Sequence, residues 1–157
     1  MTRILGIDPG LQRTGWGVVT AVGPQLSFVA GGIIATRADL PLATRLHHLH
    51  CGLMEIAEAH MPEVAAVEET FVNMNSASSL KLAQARGAIL LSLSLSALPV
   101  HAYAANLIKK SVVGTGHAGK EQVEVMVRLL LPGCKALPPD AMDALAVAIT
   151  HAHHKQS

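Results

Sequence analysis

Acidic side chains stand where apolar segments of this sequence end or where a helix begins, at Asp8, Glu68, Glu69, Asp140 and Asp143. These five are almost half of the chain's eleven acidic residues. Carboxylates gathered in one pocket repel one another, and bound divalent cations are the natural compensation. A site with oxygen ligands only favours magnesium or manganese over zinc. Two such ions can activate a water and stabilise the leaving oxygen of a phosphodiester, so these residue types point to metal-dependent nuclease chemistry without a Ser, Cys or His nucleophile.

Each acidic position also has a purely structural interpretation. Asp8 precedes Pro-Gly, where an aspartate commonly bonds the backbone of a turn. Glu68 and Glu69 can be solvated residues at a strand end. Their side chains alternate between faces, so only one of them can point toward a given site, and the spacing does not say which. Asp140 and Asp143 lie on one side of the first turn of a helix, where they can act as the N-cap and its third residue without any metal.

The charged residues are segregated along the chain. A net charge of +1 argues weakly against a nucleic-acid binder. However, no acidic residue lies between Glu69 and Glu121, and five basic residues fall in that interval: Lys81, Arg86, Lys109, Lys110 and Lys120. Such a chain can present a basic surface to a polyanion and still hold carboxylates elsewhere. Chance segregation in a chain with few charges explains the pattern equally well.

The elements that must position these residues follow from hydrophobic periodicity and turn signals. Strands are predicted at residues 3–7, 14–22, 26–34, 64–68 and 100–103. Helices are predicted at 41–61, 76–98, 104–112, about 123–131 and 140–154. In segment 76–98, residues 91–95 alternate as in a strand, but the length of the segment favours a helix. The order β-β-β-α-β-α-β-α-α-α predicts an α/β fold whose mixed sheet starts as an antiparallel meander and continues with parallel strands.

Size and composition bound the class of protein. At 157 residues, half of them apolar, the chain can bury one substantial core, so we expect a single domain over 1–157. Cys51 and Cys134 stand far apart without a C-x-x-C partner, which fits a reducing cytoplasm. The longest apolar-rich stretch, residues 87–98, is too short to cross a bilayer. We therefore expect a soluble cytoplasmic protein.

Two further patterns have bland explanations. Residues 114–120 read G-x-x-x-x-G-K, but Glu121 occupies the Ser/Thr position of a P-loop, so a P-loop is not expected. Six of the nine histidines cluster as His47, His48, His50, His151, His153 and His154. We interpret them as surface residues near helix C-termini, suited to the helix dipole, in preference to metal ligands.

Three acidic motifs of the sequence, ILGIDPG, AVEETF and PPDAMDALAVAITHAH, resemble those of the RuvC-type Holliday-junction resolvases of the ribonuclease H-like superfamily. The segments at 79–87, 109–116 and 119–131 are also similar to that family, so the resemblance spans nearly the whole chain. It implies a ribonuclease H-like fold with helices on both faces of the sheet. It also implies a homodimer that cleaves four-way DNA junctions by paired symmetric nicks in recombination and repair, with partners of the RuvA and RuvB branch-migration type.

The resemblance also assigns residues. It places the metal-binding and catalytic acids at Asp8, Glu68, Asp140 and Asp143, and so chooses Glu68 over Glu69, with two Mg²⁺ ions per site or Mn²⁺ in their place. The DNA-binding residues that it implies are Phe71 for stacking at the junction centre, Lys109 and Lys120 near the scissile phosphate, and, with a weaker match, Arg86 and Lys110. Without the resemblance, Phe71 would be an ordinary core residue and the four basic side chains ordinary surface charges.

The sequence leaves three alternatives open. A related nuclease acting on RNA or flapped DNA would use the same metal chemistry. An actin-like or sugar-kinase-like ATPase is suggested by I-D-P-G followed by Thr14-Gly15, although that fold needs two comparable domains and this chain has room for one. A DNA-structure binder without catalysis would share the basic segment but would not cleave. The leucines of segment 76–98 exceed one helix face, which favours a two-fold dimer, while its small residues can equally serve packing within one subunit.

Overall fold

The computed structural model describes residues 1–69, 76–134 and 136–155. Within these ranges the strands are β1 (Thr2–Asp8), β2 (Arg13–Val22), β3 (Gln25–Ala35), β4 (Val64–Glu69) and β5 (Val100–Ala104). The helices are α1 (Leu42–His60), α2 (Ser76–Leu95), α3 (Ala105–Val113), α4 (Lys120–Leu130) and α5 (Pro139–Lys155). The element order predicted from periodicity is confirmed, including the helical state of α2.

The five strands form one mixed sheet in the order β3-β2-β1-β4-β5. The first three strands are an antiparallel meander, and β1, β4 and β5 run parallel to one another. Parallel neighbours need a crossover connection, and α1 and α2 supply it. Because the ends of β1 and β4 meet at one edge of the sheet, Asp8 and Glu68 are brought to the same place.

Helices cover both faces of the sheet, as predicted. Successive side chains of β1 point to opposite faces. Ile4 belongs to the core beneath α3, α4 and α5, whereas Leu5 and Ile7 belong to the core beneath α1 and α2. Gly6 and Asp8 therefore share the face that α5 covers, since they alternate with Leu5 and Ile7.

Helix α5 lies directly on the backbone of β1 and β2. Added to Gly6, a Cβ atom would overlap the carbonyl oxygen of Ala144, and added to Gly15 it would overlap that of Asp140. The helix is buried almost all round: every residue from 141 to 152 is buried except Asp143, which is half-buried. A helix with such close backbone contact fixes the height of its own first turn above the sheet.

The structure excludes one structural alternative for α5, the N-cap role of Asp140, and corrects one interpretation, the surface position of His151. The helix begins at Pro139, a residue suited to the first helical position. Asp140 therefore lies inside the first turn and is not the N-cap. His151 is not a surface residue, because only 7% of it is exposed and its Nδ1 lies 2.7 Å from the Tyr103 hydroxyl oxygen. None of the described helices is long and apolar enough to span a membrane.

Candidate active site

The first acidic residue of the site stands at the end of the central strand. Asp8 is the last residue of β1 and pairs across the sheet with Gly15 of β2. It is half-buried and faces the α5 side. The turn that follows is closed by Thr14, whose hydroxyl donates a hydrogen bond to the Gly10 carbonyl. Thr14 therefore stabilises the turn, and the Asp8 carboxyl group can lie against the other acidic side chains.

Two further acids come from the first turns of α5. Asp140 and Asp143 lie three residues apart, so they project from the same side of the helix. Their side chains are 28% and 25% exposed. Gly15 lies directly below Asp140, and its lack of a side chain lets the helix start come down onto the strand that neighbours Asp8. The three carboxyl groups consequently meet: oxygens of Asp8, Asp140 and Asp143 all lie within 4.8 Å of one another.

At the end of β4 the structure distinguishes between the two glutamates. Glu69 is exposed, whereas Glu68 is half-buried and its carboxyl group is hydrogen-bonded to that of Asp8. Glu68 also lines a cleft of about 260 Å³ together with Asp143, Lys109 and Lys120. The structure therefore brings Glu68 to the acid cluster, which we define as Asp8, Glu68, Asp140 and Asp143.

The electrostatics of the acid cluster are those of crowded carboxyl groups. Burial, a hydrogen bond that the protonated Asp8 carboxyl group donates to a Glu68 oxygen, and the neighbouring charges of Glu68, Asp143 and Asp140 raise the pKa of Asp8 to about 9. Burial also raises the pKa of Asp143, and the opposing effect of Lys120 does not cancel it. Without a cation, the cluster therefore holds a proton that separate carboxyl groups would release.

Two basic side chains flank the acid cluster. Arg13 Nε lies 3.3 Å from Asp140 Oδ2, and Lys120 Nζ lies 3.4 Å from Asp143 Oδ2. Both basic side chains are largely exposed, at 63% and 59%. The negative charge of Asp143 raises the pKa of Lys120, so this ammonium group stays charged at neutral pH. A polyanion approaching the acid cluster would meet positive charge first.

The other predicted DNA-binding residues are placed differently from one another. Lys109 of α3 lines the cleft beside the acid cluster. Lys110 lies in a separate depression with Ser111 and His153, away from the acids. Arg86 of α2 donates a hydrogen bond from Nη1 to the carbonyl oxygen of Glu68, 2.8 Å away, so it is tied to the strand that carries the glutamate. Phe71 falls outside the described residues.

The acid cluster fits a divalent cation. Its donors are carboxylate oxygens, the ligands that magnesium and manganese prefer. Its crowding is shown by the hydrogen bond between two carboxyl groups and by the raised pKa of Asp8, and both would be relieved by a positive ion. Among the described residues, no other group of three His, Cys, Asp or Glu side chains has ligand atoms this close together. The histidine clusters thus do not form a competing metal site there.

The Gly114–Lys120 segment is also not a P-loop. It connects α3 to α4, whereas a P-loop connects a strand to a helix. Gly114 has a positive φ of 105° and terminates α3. Lys120 is the first residue of α4, and its side chain points toward Asp143. The glycine-containing segment before α4 therefore places a lysine beside the acid cluster.

Sequence reasoning missed Arg13 and the role of the glycines. Nothing near Arg13 in the sequence relates it to Asp140, because only the fold brings β2 beside the start of α5. The glycines did leave a signal: Gly15 and Gly17 alternate along one face of β2, and α5 is rich in alanine. Small residues at matching periods on a strand and a helix predict close packing of the two.

Comparison with known proteins gives consistent matches over the whole chain. The family described as crossover junction endodeoxyribonuclease RuvC matches residues 4–151. A protein of that name from Paramagnetospirillum magneticum is 60% identical over 153 residues, which cover 98% of this chain and 92% of that protein. Another from Afipia carboxidovorans is 56% identical over 155 residues, covering 99% of this chain and 91% of the relative.

Solved structures match in the same way. The RuvC of Thermus thermophilus in complex with a Holliday junction substrate superposes with a TM-score of 0.93 at 34% identity, covering 99% of this chain and 96% of that one. A yeast mitochondrial Holliday junction resolvase has a TM-score of 0.71 at 12% identity, covering 97% of this chain and 78% of that one, and shares the fold. With a family match over nearly its full length and relatives of this identity, the chain belongs to the crossover junction endodeoxyribonuclease RuvC family.

Proposed function

We propose that this protein is a structure-specific endonuclease that resolves four-way (Holliday) DNA junctions by metal-dependent phosphodiester hydrolysis, in recombination and DNA repair. The observation that carries the proposal is the acid cluster, flanked by Arg13 and Lys120, in a chain of this family. Carboxylates that can hold cations, next to basic side chains that can hold phosphates, are the two requirements of this reaction.

The acid cluster is proposed to hold the metal. Oxygens of Asp8, Asp140 and Asp143 lie within 4.8 Å of one another, and Glu68 joins them through Asp8. We assign two Mg²⁺ ions, with Mn²⁺ as a substitute, because four carboxylates carry more negative charge than one divalent ion neutralises. When bound, such ions would activate a water for in-line attack and stabilise the leaving oxygen. The protein's own contribution is to fix the carboxylates on two strand ends and one helix start.

The basic side chains near the cleft are proposed to position the DNA. Lys109 and Lys120 line the cleft beside the acid cluster, where a phosphate of the cut strand would lie. Lys110 faces another part of the surface, so any DNA contact it makes is to a different segment of the junction. Phe71 is proposed to stack at the centre of the junction, the role that the family resemblance implies. Arg86 acts through Glu68, whose carbonyl it binds.

The functional unit is proposed to be a two-fold homodimer of single-domain subunits. Leu80, Leu91 and Leu95 of α2 are 59%, 61% and 63% exposed. At about 100° per residue, their positions fall within roughly 60° of one another on the helix surface. We call this row the leucine stripe. A second copy of the same stripe would cover it, and two-fold symmetry would present two acid clusters for paired nicks on opposing strands.

The assay that tests the function uses a labelled four-way junction incubated with Mg²⁺. We expect two symmetric nicks, no cleavage in EDTA, and little cleavage of linear duplex of the same sequence. Arms with flapped DNA and with an RNA duplex test the related nuclease activities. Cleavage of linear duplex at the same rate as the junction would contradict the proposal, and so would tight junction binding without any cleavage in Mg²⁺. Adding branch-migration proteins of the RuvA and RuvB type tests whether they are partners.

A further inference from the structure

Arg13 flanks the acid cluster, but the proposed function assigns it no specific contact with the DNA. It is the first residue of β2 and lies two residues before Gly15, so both face the α5 side of the sheet. Gly15 lies beneath Asp140, and Arg13 reaches the same aspartate from beyond the end of the helix, with Nε 3.3 Å from Oδ2. The guanidinium group therefore lies beside the acid cluster, next to Asp140, whereas Lys120 lies next to Asp143.

The two flanking cations have the same relation to the acid cluster. Each contacts one acid of α5 at its outer side, and each keeps about three-fifths of its side chain exposed. Arg13 comes from β2 and Lys120 from α4, so they contact two different acids of the cluster. A phosphodiester bound at the acid cluster can meet both charges.

The chemistry of arginine suits a role toward DNA. A guanidinium group carries five donors in a planar fork that matches phosphate oxygens, and it remains charged at any pH of interest. Its contact with Asp140 uses Nε. If Asp140 held a cation, its negative charge would be shared with that ion, and its attraction for Arg13 would be weaker.

From this geometry, and resting on the proposed junction-cleaving function, we propose that Arg13 is a substrate-binding residue of the active site. It neutralises Asp140 while no cation is bound, and its guanidinium group then moves to a phosphate of the strand to be cut. Arg13 and Lys120 thus each contact the DNA backbone beside the acid cluster, one next to Asp140 and the other next to Asp143.

A purely structural role would have the opposite consequences. If Arg13 only neutralised Asp140, removing its charge would free that carboxylate and strengthen metal binding, and junction affinity would not change. A phosphate contact, in contrast, contributes to junction affinity and to its dependence on salt. Each contact adds about one unit to the slope of log affinity against log salt concentration.

The experiment compares Arg13→Gln, Arg13→Lys and a control, Arg128→Gln, which removes an exposed charge about two turns beyond Lys120 on α4. Junction affinity is measured in Ca²⁺ between about 50 and 200 mM salt, a range over which phosphate contacts are resolved. Mn²⁺ affinity is measured without DNA. We expect Arg13→Gln to weaken junction binding several-fold and to lower the salt slope by about one unit. Arg13→Lys should keep the slope but recover only part of the affinity, because a lysine lacks the fork.

The outcomes separate the inference from the proposed function. An Arg13→Gln protein with wild-type junction affinity and tighter Mn²⁺ binding would overturn the inference, and so would an equal loss in Arg128→Gln. If the wild-type protein neither prefers nor cleaves the junction, the proposed function itself fails. Wild-type cleavage together with an unaffected Arg13→Gln variant leaves the function intact and removes Arg13 from the substrate site.

Discussion

Asp8 places a half-buried carboxyl group beside three others, an arrangement that costs stability unless a partner compensates for it. We therefore expect Asp8→Asn, Glu68→Gln, Asp140→Asn and Asp143→Asn each to lower the cleavage rate at least about 100-fold, since even losing an outer partner of a metal ligand costs 10- to 100-fold. Junction binding in Ca²⁺ should persist. Single-turnover cleavage and junction affinity are the measurements.

The matched control for these variants is Glu69→Gln, because Glu69 neighbours Glu68 but is exposed. We expect it to cleave at the wild-type rate. If Glu69→Gln lost activity and Glu68→Gln kept it, the assignment of Glu68 to the acid cluster would be wrong and Glu69 would be the catalytic residue.

A different effect is expected at Arg86, because it binds the Glu68 carbonyl and not the carboxyl group. As a positioning residue, it should set the metal dependence of the reaction. We expect Arg86→Gln to raise the Mg²⁺ concentration needed for half-maximal cleavage about 10-fold or more, with the salt slope of junction binding unchanged. A salt slope reduced by about one unit at unchanged Mg²⁺ dependence would instead identify Arg86 as a phosphate contact.

At the scale of residues, the sequence predicts the type of chemistry better than it predicts which residues take part in it. Asp8, Asp140 and Asp143 could be selected because charge at an element end is unusual and three such groups recur. Glu68 could not be separated from Glu69 by spacing, since the choice depends on which face of β4 meets α5. Arg13 could not be found at all, because its partner lies on an element remote in sequence.

Among the elements, the contact of α5 with β2 determines how closely the acids approach. A methyl group at Gly15 would overlap the Asp140 carbonyl, so Gly15→Ala must push the start of α5 away from the sheet. Overpacking of this kind costs about 1–3 kcal/mol of unfolding free energy. A displacement of about 1 Å at a reacting site costs about 100-fold in rate. We expect cleavage to fall by about that factor while thermal unfolding stays cooperative.

Gly133→Ala is the control for this variant. The nearest atoms to an added Cβ belong to Phe28 at 3.7 Å, which is ordinary contact. Stability should change by no more than about 0.5 kcal/mol, and cleavage should not change. If Gly15→Ala cleaved at the wild-type rate, the height of α5 above the sheet would not control the site.

Element order was predictable because strand and helix periods are local properties of the sequence. The meander of β1, β2 and β3 and the helical state of α2 both follow from such local signals. The depth of α5 was not predictable in the same way. Its burial on nearly every side depends on β1 and β2 offering Gly6, Gly15 and Gly17 where other strands carry side chains.

For the whole molecule, the proposed dimer makes the leucine stripe a test of assembly. Leu91→Glu places a charge in the stripe, and we expect it to sediment as a monomer at concentrations where the wild-type protein is a dimer. On a supercoiled cruciform plasmid, we expect this variant to be unable to produce linear product in a single binding event. Leu129→Glu on α4, where the leucine is 67% exposed, is the control and should remain dimeric. A monomeric Leu91→Glu protein that still linearises the plasmid in one event would contradict paired cleavage by a dimer.

Stability of the metal-free protein should fall as pH rises. The pKa of Asp8 is raised from 3.8 to about 9 in the fold, and burial raises the pKa of Asp143 as well. Between the unfolded and folded values, the folded protein holds protons that the unfolded chain has lost, so increasing pH favours unfolding. Burial lowers the pKa of His151, which has the opposite effect only at acidic pH.

The window from pH 7 to about 8 favours the contribution of the acids, because the raised pKa of Cys134 lowers stability only close to and above its ordinary value of 9.0. In EDTA we expect the thermal midpoint to decrease across this window, and the stabilisation by added Mg²⁺ to grow, because a cation replaces the protons. Asp8→Asn should flatten the pH dependence in EDTA. A midpoint that rises with pH in the wild-type protein without metal would contradict the crowding of the acid cluster.

The close packing of α5 on the sheet also determines when the active site can form during synthesis of the protein. Asp8 leaves the ribosome early, whereas Asp140 and Asp143 follow only after every strand has been synthesised. Before α5 packs on Gly6 and Gly15, the chain lacks the contact that brings Asp140 and Asp143 to Asp8. We therefore expect a translation product that ends before α5 to be unable to cleave DNA, because it lacks two of the four acids to which we assign the reaction.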